Sequence, residues 1–326
     1  MILVTGGAGF IGGNYIKKFI NDDLVAEFGE VLCVDNLTYA SNISFIENLI
    51  EYHNVEFFKV DIADRSSMGY LFSEYKHQIK YIVNFAAETH VDNSIANFEP
   101  FIYTNVLGTI NLMKHALEVP NLKKFVHIST DEVYGSLDLD DPNSFTENNP
   151  HQTNSPYSAS KASSDCFARA FYKTYGLPVV ITNCSNNYGP NQNKEKLIPK
   201  VCYNALNDQK IPVYGDGKNV RDWLYVDDHC DAINLILQKG IPGEKYNIGG
   251  GTEIANIDLV KMILKLLHKD ESLIQYVTDR VGHDRRYSID CSKLENLGYK
   301  PKHSLQDGLN KTINWYELEN GKSNNE

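Results

Sequence analysis

The chain opens Met1-Ile2-Leu3-Val4-Thr5-Gly6-Gly7-Ala8-Gly9-Phe10-Ile11-Gly12. The first residues read as a short buried strand, and Gly6, Gly9 and Gly12 form a GxxGxxG turn into a helix. Glycines there permit a tight turn and a close approach of backbone to a pyrophosphate, which rests on the helix N-terminus. A glycine pattern alone is weak; the strand–turn–helix context makes it specific. Gly6, Gly9, Phe10, Ile11 and Gly12 are therefore candidate dinucleotide contacts. The next strand, Val31–Asp35, ends in Asp35, 23 residues past Gly12. A carboxylate there accepts hydrogen bonds from ribose hydroxyls and repels a 2′-phosphate, and no arginine follows in Asn36-Leu37-Thr38-Tyr39. NAD is expected rather than NADP, with Asn36 and Thr38 beside it. A third strand ends in Asp61-Ile62, a clamp for the adenine. A fourth ends in Asn84-Phe85-Ala86-Ala87, whose small residues let a dinucleotide lie flat. Tight helix–sheet packing also explains the alanines, and the two explanations are compatible.

Outward from this turn, short apolar runs alternate with amphipathic ones, the pattern of βαβ units. The expected strands are Ile2–Thr5, Val31–Asp35, Val55–Val60, Tyr81–Phe85, Phe125–Ser129 and Val179–Asn183. Helical patterns fall at Ile11–Asn21, Ser66–Tyr75, Asn105–Glu118 and Tyr157–Tyr175. The fold expected is α/β: a Rossmann-type, doubly wound parallel sheet with a smaller, interleaved C-terminal substrate lobe. Residues 1–185 form the NAD-binding part and 186–326 mainly the substrate lobe, with no linker between them. At 326 residues the chain exceeds the usual single-core size. Its net charge of −11 argues against nucleic acid and anionic membrane as partners. No apolar run approaches a membrane span and no leader pattern is visible, so a cytoplasmic protein is expected. Six scattered cysteines without CxxC spacing read as buried reduced thiols, and no metal site is expected. The tail Gly321–Glu326 reads as frayed.

Chemistry concentrates between Ser129 and Lys161. Thr130-Asp131-Glu132 follow an apolar strand, where open parallel sheets bind ligands. Tyr157 and Lys161 share a helix face at i, i+4, and a nearby cation favours the phenolate that can take an alcohol proton. A lone YxxxK is usually a surface pair, and Thr-Asp-Glu could be a turn with a helix cap. Beside a hydride-carrier site the functional reading gains. Alcohol oxidation needs one base; a second acid and base imply that another substrate carbon is also worked on.

The motifs TGGAGFIG, DNLTYASN, NFAAETHVDNSI, ISTDEVYG, SPYSASKASSD, NCSNNYGPNQNKEKLIP, GDGKNVRDWLYVDDH and DRVGHDRRYSID resemble the extended short-chain dehydrogenase/reductase superfamily. Within it they resemble the nucleotide-sugar dehydratases, from Thr5 to about Pro301. The resemblance implies a dTDP-glucose substrate. Thr130 and Tyr157 would hold the sugar 4-hydroxyl, Tyr157 with Lys161 would deprotonate it, Glu132 would take the carbon 5 proton, and Asp131 would protonate the departing 6-hydroxyl. It places Thr104 and Asn187 with the cofactor. Asn186, Glu195, Lys196, Leu197, Arg221, Asn256, Arg280 and His283 would lie with the substrate, the two arginines gripping the diphosphate.

Three positions depart from the family pattern: Val281 for a proline, Asn93 for an arginine and Ser41 for a glycine. A homodimer through helices 105–118 and 157–175 is also implied, with Val106, Ile110, Phe167 and Phe171 as apolar candidates. Two other readings stand beside this one. An epimerase, or a dehydratase of another nucleotide, would keep the fold, but an epimerase has no use for Asp131 and Glu132. A non-catalytic dinucleotide sensor is the third reading, and the intact Thr130, Asp131, Glu132, Tyr157 and Lys161 argue against it.

Overall fold

The computed structural model describes residues 1–53 and 55–323. Its strands are β1 (Ile2–Thr5), β2 (Val31–Asp35), β3 (Val55–Lys59), β4 (Tyr81–Asn84), β5 (Lys124–Thr130) and β6 (Val179–Cys184). The second half adds β7 (Asn186–Tyr188), β8 (Ile211–Tyr214), β9 (Val220–Tyr225), β10 (Lys245–Ile248), β11 (Glu253–Ala255) and β12 (Ile274–Val277). A seven-stranded sheet runs β10-β6-β5-β4-β1-β2-β3, and each neighbouring pair is parallel. Strands buried on both faces need near-continuous apolar runs, and β1 and β2 have them. The strand order reverses between β1 and β4, which opens the crevice at their carboxyl ends.

Two apolar layers flank this sheet. One gathers Val4, Ile16, Phe19, Ile233 and Ile236; the other gathers Leu3, Leu32, Phe72, Leu112 and Phe125. A separate core of Tyr188, Trp223, Tyr225, Ile198, Val260 and Ile313 serves the C-terminal part. There β9 pairs antiparallel with β11 and parallel with β7, and β12 pairs with β8. The edge strand β10 comes from residues 245–248 yet lies in the large sheet beside β6.

Several elements differ from the sequence expectation. The strand β5 runs one residue further at each end, so Thr130 is its last residue. Lys124 stays in the buried strand because its ammonium donates to the carbonyls of Ile236 and Leu237 at a helix end. The helix expected over 105–118 is a π-helical turn, Ile102–Gly108, continued by an α-helix, Thr109–Ala116. Apolar spacing alone does not separate these two windings. The last helix, Leu305–Ser323, includes Gly321, so the expected frayed tail is helical that far; residues 324–326 lie outside the described residues. Of the cysteines, Cys33, Cys184, Cys202 and Cys230 are buried, but Cys166 is exposed and Cys291 is half-buried. No helix among the described residues is long and apolar enough to cross a membrane.

Candidate active site

The helix Phe10–Asn21 begins after Gly9 with no side-chain cap and no acidic residue in its first turn, so its N-terminal N–H groups have no competing carboxylate. A Cβ on Gly12 would stand 2.2 Å from the Gly6 carbonyl, and one on Gly6 (φ +70°) 2.6 Å from the Ala86 nitrogen. Only glycine allows this turn to pack on the backbone of Phe85 and Ala86, which follow β4. Beyond the turn a cleft is lined by all sixteen expected cofactor contacts: Gly6, Gly9, Phe10, Ile11, Gly12, Asp35, Asn36, Thr38, Asp61, Ile62, Ala86, Ala87, Thr104, Tyr157, Lys161 and Asn187. The bare helix terminus, the glycine cradle and the acidic end of β2 fit a dinucleotide. Asp35 also builds the site, because it accepts from the Ala8 N–H (3.0 Å), the Leu37 N–H (2.8 Å) and the Ser41 hydroxyl (2.7 Å). The Ser41 departure thus clips the cofactor loop to the strand end.

The same cleft reaches Thr130, Asp131, Glu132, Asn186, Glu195 and Lys196. Tyr157 and Lys161 stand on the helix Pro156–Tyr175, started by a Ser155–Ser158 capping box and stopped by Gly176 in the left-handed region. Lys161 Nζ donates to the Ile128 carbonyl (2.7 Å). Thr130 Oγ1 donates to Asp131 Oδ1 (3.3 Å) and accepts from the Glu132 N–H (3.3 Å), while Asp131 Oδ2 is buried without a partner.

The electrostatics separate the two carboxyls. Burial, Glu132 and Asp222 push Asp131 well above the usual carboxylate range, with Arg221 opposing them. Burial also raises Glu132, but the cations Lys196 and Arg221 oppose it. The phenol of Tyr157 is raised by burial, then by Glu132 and Cys184, with Thr130 opposing. The expected effect of Lys161 on this phenol is outweighed in the protein alone.

The remaining expected substrate residues lie outside the lining of this cleft, with Arg221 and Arg280 near enough to act on Glu132. Arg221 is buried, donates to the Val220 and Asp284 carbonyls, and stacks 4.2 Å over Tyr287. Arg280 forks onto Asp92 (2.5 and 3.0 Å). His283 meets Asp279 at 2.6 Å, and its charge environment includes both arginines. Leu197 begins the helix Leu197–Leu206, and Lys196 before it donates to the Thr89 carbonyl. Asn256 begins another helix; its Oδ1, like that of Asn186, is buried without a partner. Asn187 is fixed by accepting from His229 Nδ1 (2.8 Å). Sequence reasoning missed Asp92, Asp284 and Tyr287, which orient the arginines, and Asn105, which holds Glu88 through two hydrogen bonds. Asp284 and Tyr287 sat inside a quoted motif but carried no signal of their own.

A buried carboxyl pushed upward beside a second, cation-flanked carboxyl at a dinucleotide cleft separates dehydrating enzymes from plain alcohol oxidoreductases. The chain is of that class within the extended short-chain dehydrogenase/reductases. The family model described as GDP-mannose 4,6 dehydratase matches residues 3–312. A probable dTDP-glucose 4,6-dehydratase of Sinorhizobium fredii is 48% identical over 336 residues, covering 98% of this chain and 93% of the relative. Among solved structures, dTDP-glucose 4,6-dehydratase DesIV of Streptomyces venezuelae, with NAD and TYD bound, gives a TM-score of 0.93 at 46% identity, covering 98% of both chains. That of Bacillus anthracis, in complex with NAD, gives 0.88 at 46% identity, covering 97% of this chain and 96% of the other. The chain belongs to this family of nucleotide-sugar 4,6-dehydratases.

Proposed function

We propose that this chain catalyses the 4,6-dehydration of dTDP-glucose with NAD, yielding dTDP-4-keto-6-deoxyglucose. The observation that carries the reading is the Asp131–Glu132 pair, adjacent in sequence: burial raises both carboxyls, neighbouring carboxylates add to it at Asp131, and Lys196 with Arg221 opposes it at Glu132. NAD, when bound, supplies a reversible hydride acceptor and a positive ring charge that opposes the burial keeping Tyr157 protonated. Thr130 and Tyr157 position the sugar 4-hydroxyl and Tyr157 removes its proton, with Lys161 as the neighbouring cation. The resulting ketone acidifies carbon 5. Glu132 takes that proton and Asp131 gives its own to the departing 6-hydroxyl; the hydride removed from carbon 4 would end on carbon 6 as Glu132 returns a proton to carbon 5, which leaves the 4-keto-6-deoxy sugar and restores the oxidised cofactor. Gly6, Gly9, Gly12 and the helix N-terminus would hold the pyrophosphate, and Asp35 the ribose. Lys196, Arg221 and Arg280 offer cations to the substrate diphosphate, and the unpartnered Asn186 and Asn256 carbonyl oxygens offer acceptors.

In this reading residues 1–185 are the cofactor half, joined by β10, and residues 186–326 mainly the substrate half. The enzyme works in the cytoplasm as a homodimer. The test is incubation with dTDP-glucose in deuterated water, followed by mass spectrometry and the alkaline ketosugar absorbance. A product short one water with deuterium at carbon 5 is expected. A carbon 4 epimer of unchanged mass would replace this reading with an epimerase.

A further inference from the structure

Beneath the catalytic helix lies a buried polar chain that the mechanism above does not use. Asp165, four residues past Lys161 on the same helix, is 1% exposed. Its Oδ2 accepts from Ser129 Oγ (2.9 Å) and Asn183 Nδ2 (3.2 Å), and the same amide donates to the Thr130 carbonyl (3.0 Å). Its Oδ1 has no hydrogen-bond partner and stands 3.4 Å from His127 Nε2. His127 continues the chain: Nε2 lies 3.1 Å from Ser164 Oγ, and Nδ1 lies 3.3 Å from Asn84 Nδ2. Asn84 accepts from Thr5 Oγ1 (2.6 Å), directly before the glycine turn. Ser164 donates to the Lys161 carbonyl (2.8 Å), so its oxygen is left to accept from a His127 Nε2–H.

We propose that Asp165 is a positioning residue: a fixed, buried negative charge that keeps Lys161 an ammonium and, through Asn183, holds Thr130 against the reacting hydroxyl. A buried carboxylate with two donors on one oxygen is built to stay charged, and such a charge needs a counterpart. The groups acting on Lys161 are Asp165 on its own helix, His127 from β5 and Cys184 from β6. Burial and the Lys161 charge push the His127 imidazole down while Asp165 opposes them, and burial pushes the Cys184 thiol up to about 12. Asp165 also acts on Tyr134, on His151 and on Lys245 of β10. Burial works against the charge of Asp165, yet His127, Lys161 and Ser129 together hold its carboxyl below the usual range. The same burial pulls Lys161 down, and Asp165 is the carboxylate opposing it.

The proposal rests on the dehydratase reading for its kinetics, and its test separates the two. Asp165→Asn keeps the acceptor oxygen and removes the charge. With NAD bound it should lower kcat by about 10²-fold, the scale of a misplaced reacting group, with KM unchanged. The alkaline limb of its kcat profile should move to lower pH by roughly one unit or more, since Lys161 loses its proton sooner. A folded, NAD-loaded variant with an unmoved limb overturns the proposal. Thermal unfolding of wild type, Asp165→Asn, Lys161→Met and the double variant gives a reading independent of turnover. Removing both charges should recover stability lost in Asp165→Asn alone, even if that single variant does not fold. A double variant no more stable than Asp165→Asn also overturns it. Failure of the dehydratase reading appears separately, as wild-type enzyme that releases no water, while the stability comparison still reports on the charge pair.

Discussion

At the scale of residues, the site works by giving like groups unlike surroundings. Asp131 and Glu132 are both carboxyls within reach of Arg221, but one has an unpartnered buried oxygen beside Asp222 and the other also faces Lys196. Asp131→Asn keeps the shape and removes the proton donor. Oxidation at carbon 4 should survive, and water loss should slow by about 10²–10⁴-fold, the worth of one general acid. Quenched single turnovers should then show the 4-ketoglucose nucleotide accumulating; full turnover without it would remove Asp131 from this role. Glu132→Gln should suppress deuterium uptake at carbon 5. Asp35 carries a second expectation, for its carboxylate ends β2 and no arginine follows it in Asn36-Leu37-Thr38-Tyr39. Calorimetry should find NAD bound more tightly than NADP, and equal affinities would sink that reading. These residues were legible in the sequence because each belongs to a short local pattern: a glycine turn, a strand end, an i, i+4 pair. Asp165 and His127 were not. One sits mid-helix and the other inside an apolar run, and only the sheet brings them within 3.4 Å.

At the scale of elements, legibility followed the same divide between local and long-range causes. The buried strands β1 and β2 announce themselves as apolar runs. The strand β10 does not, because Lys245-Tyr246-Asn247-Ile248 alternates like a surface segment and is drawn into the sheet by pairing with β6. The π turn at Ile102–Gly108 was equally hidden. It turns Thr104 into the cleft and Asn105 onto Glu88 and Ser160, contacts that pay for the irregular winding. The helix Val226–Lys239 carries a further hidden element, His229, fully buried beneath β7 and bonded to Asn187. Burial depresses this imidazole to about 3, far below its ordinary value. The folded state therefore keeps His229 neutral, while the unfolded chain takes up a proton below about pH 6.5. Its contribution is fully present above pH 6.5 and is lost as pH falls toward 3. His229→Gln should be less stable at pH 7.5 yet lose less stability on acidification, measured by denaturant unfolding at several pH values. Parallel curves for the two proteins would show that His229 does not govern the acid limb.

At the scale of the whole molecule, the outer faces of the catalytic helices remain to be explained. The sequence pointed to Val106, Ile110, Phe167 and Phe171 as contacts for a second copy. Phe171 instead belongs to the core beneath the sheet, and Ile110 packs against it. Ile102, Tyr103, Leu107 and Phe167 are exposed by 42–50% on the two packed helical segments 102–108 and 156–175. Large apolar side chains on adjoining segments of a chain with net charge −11 are costly to leave in water and are the candidates for an association surface. A second copy related by a two-fold axis would cover the patch with the same residues, and a stable interface would bury roughly 1,200–2,000 Å². Phe167→Glu and Leu107→Glu place like charges opposite one another across such an axis. Light scattering during gel filtration should report a dimer for the wild type and a monomer for each variant, with helical circular dichroism retained. The π segment that carries Ile102 and Leu107 also carries Thr104 and Asn105, so separation of the copies loosens one wall of the cleft. The monomers should accordingly lose bound NAD during filtration faster than the dimer does. A variant that stays dimeric would move the interface elsewhere, and a monomer that keeps its NAD as well as wild type would uncouple assembly from the cleft.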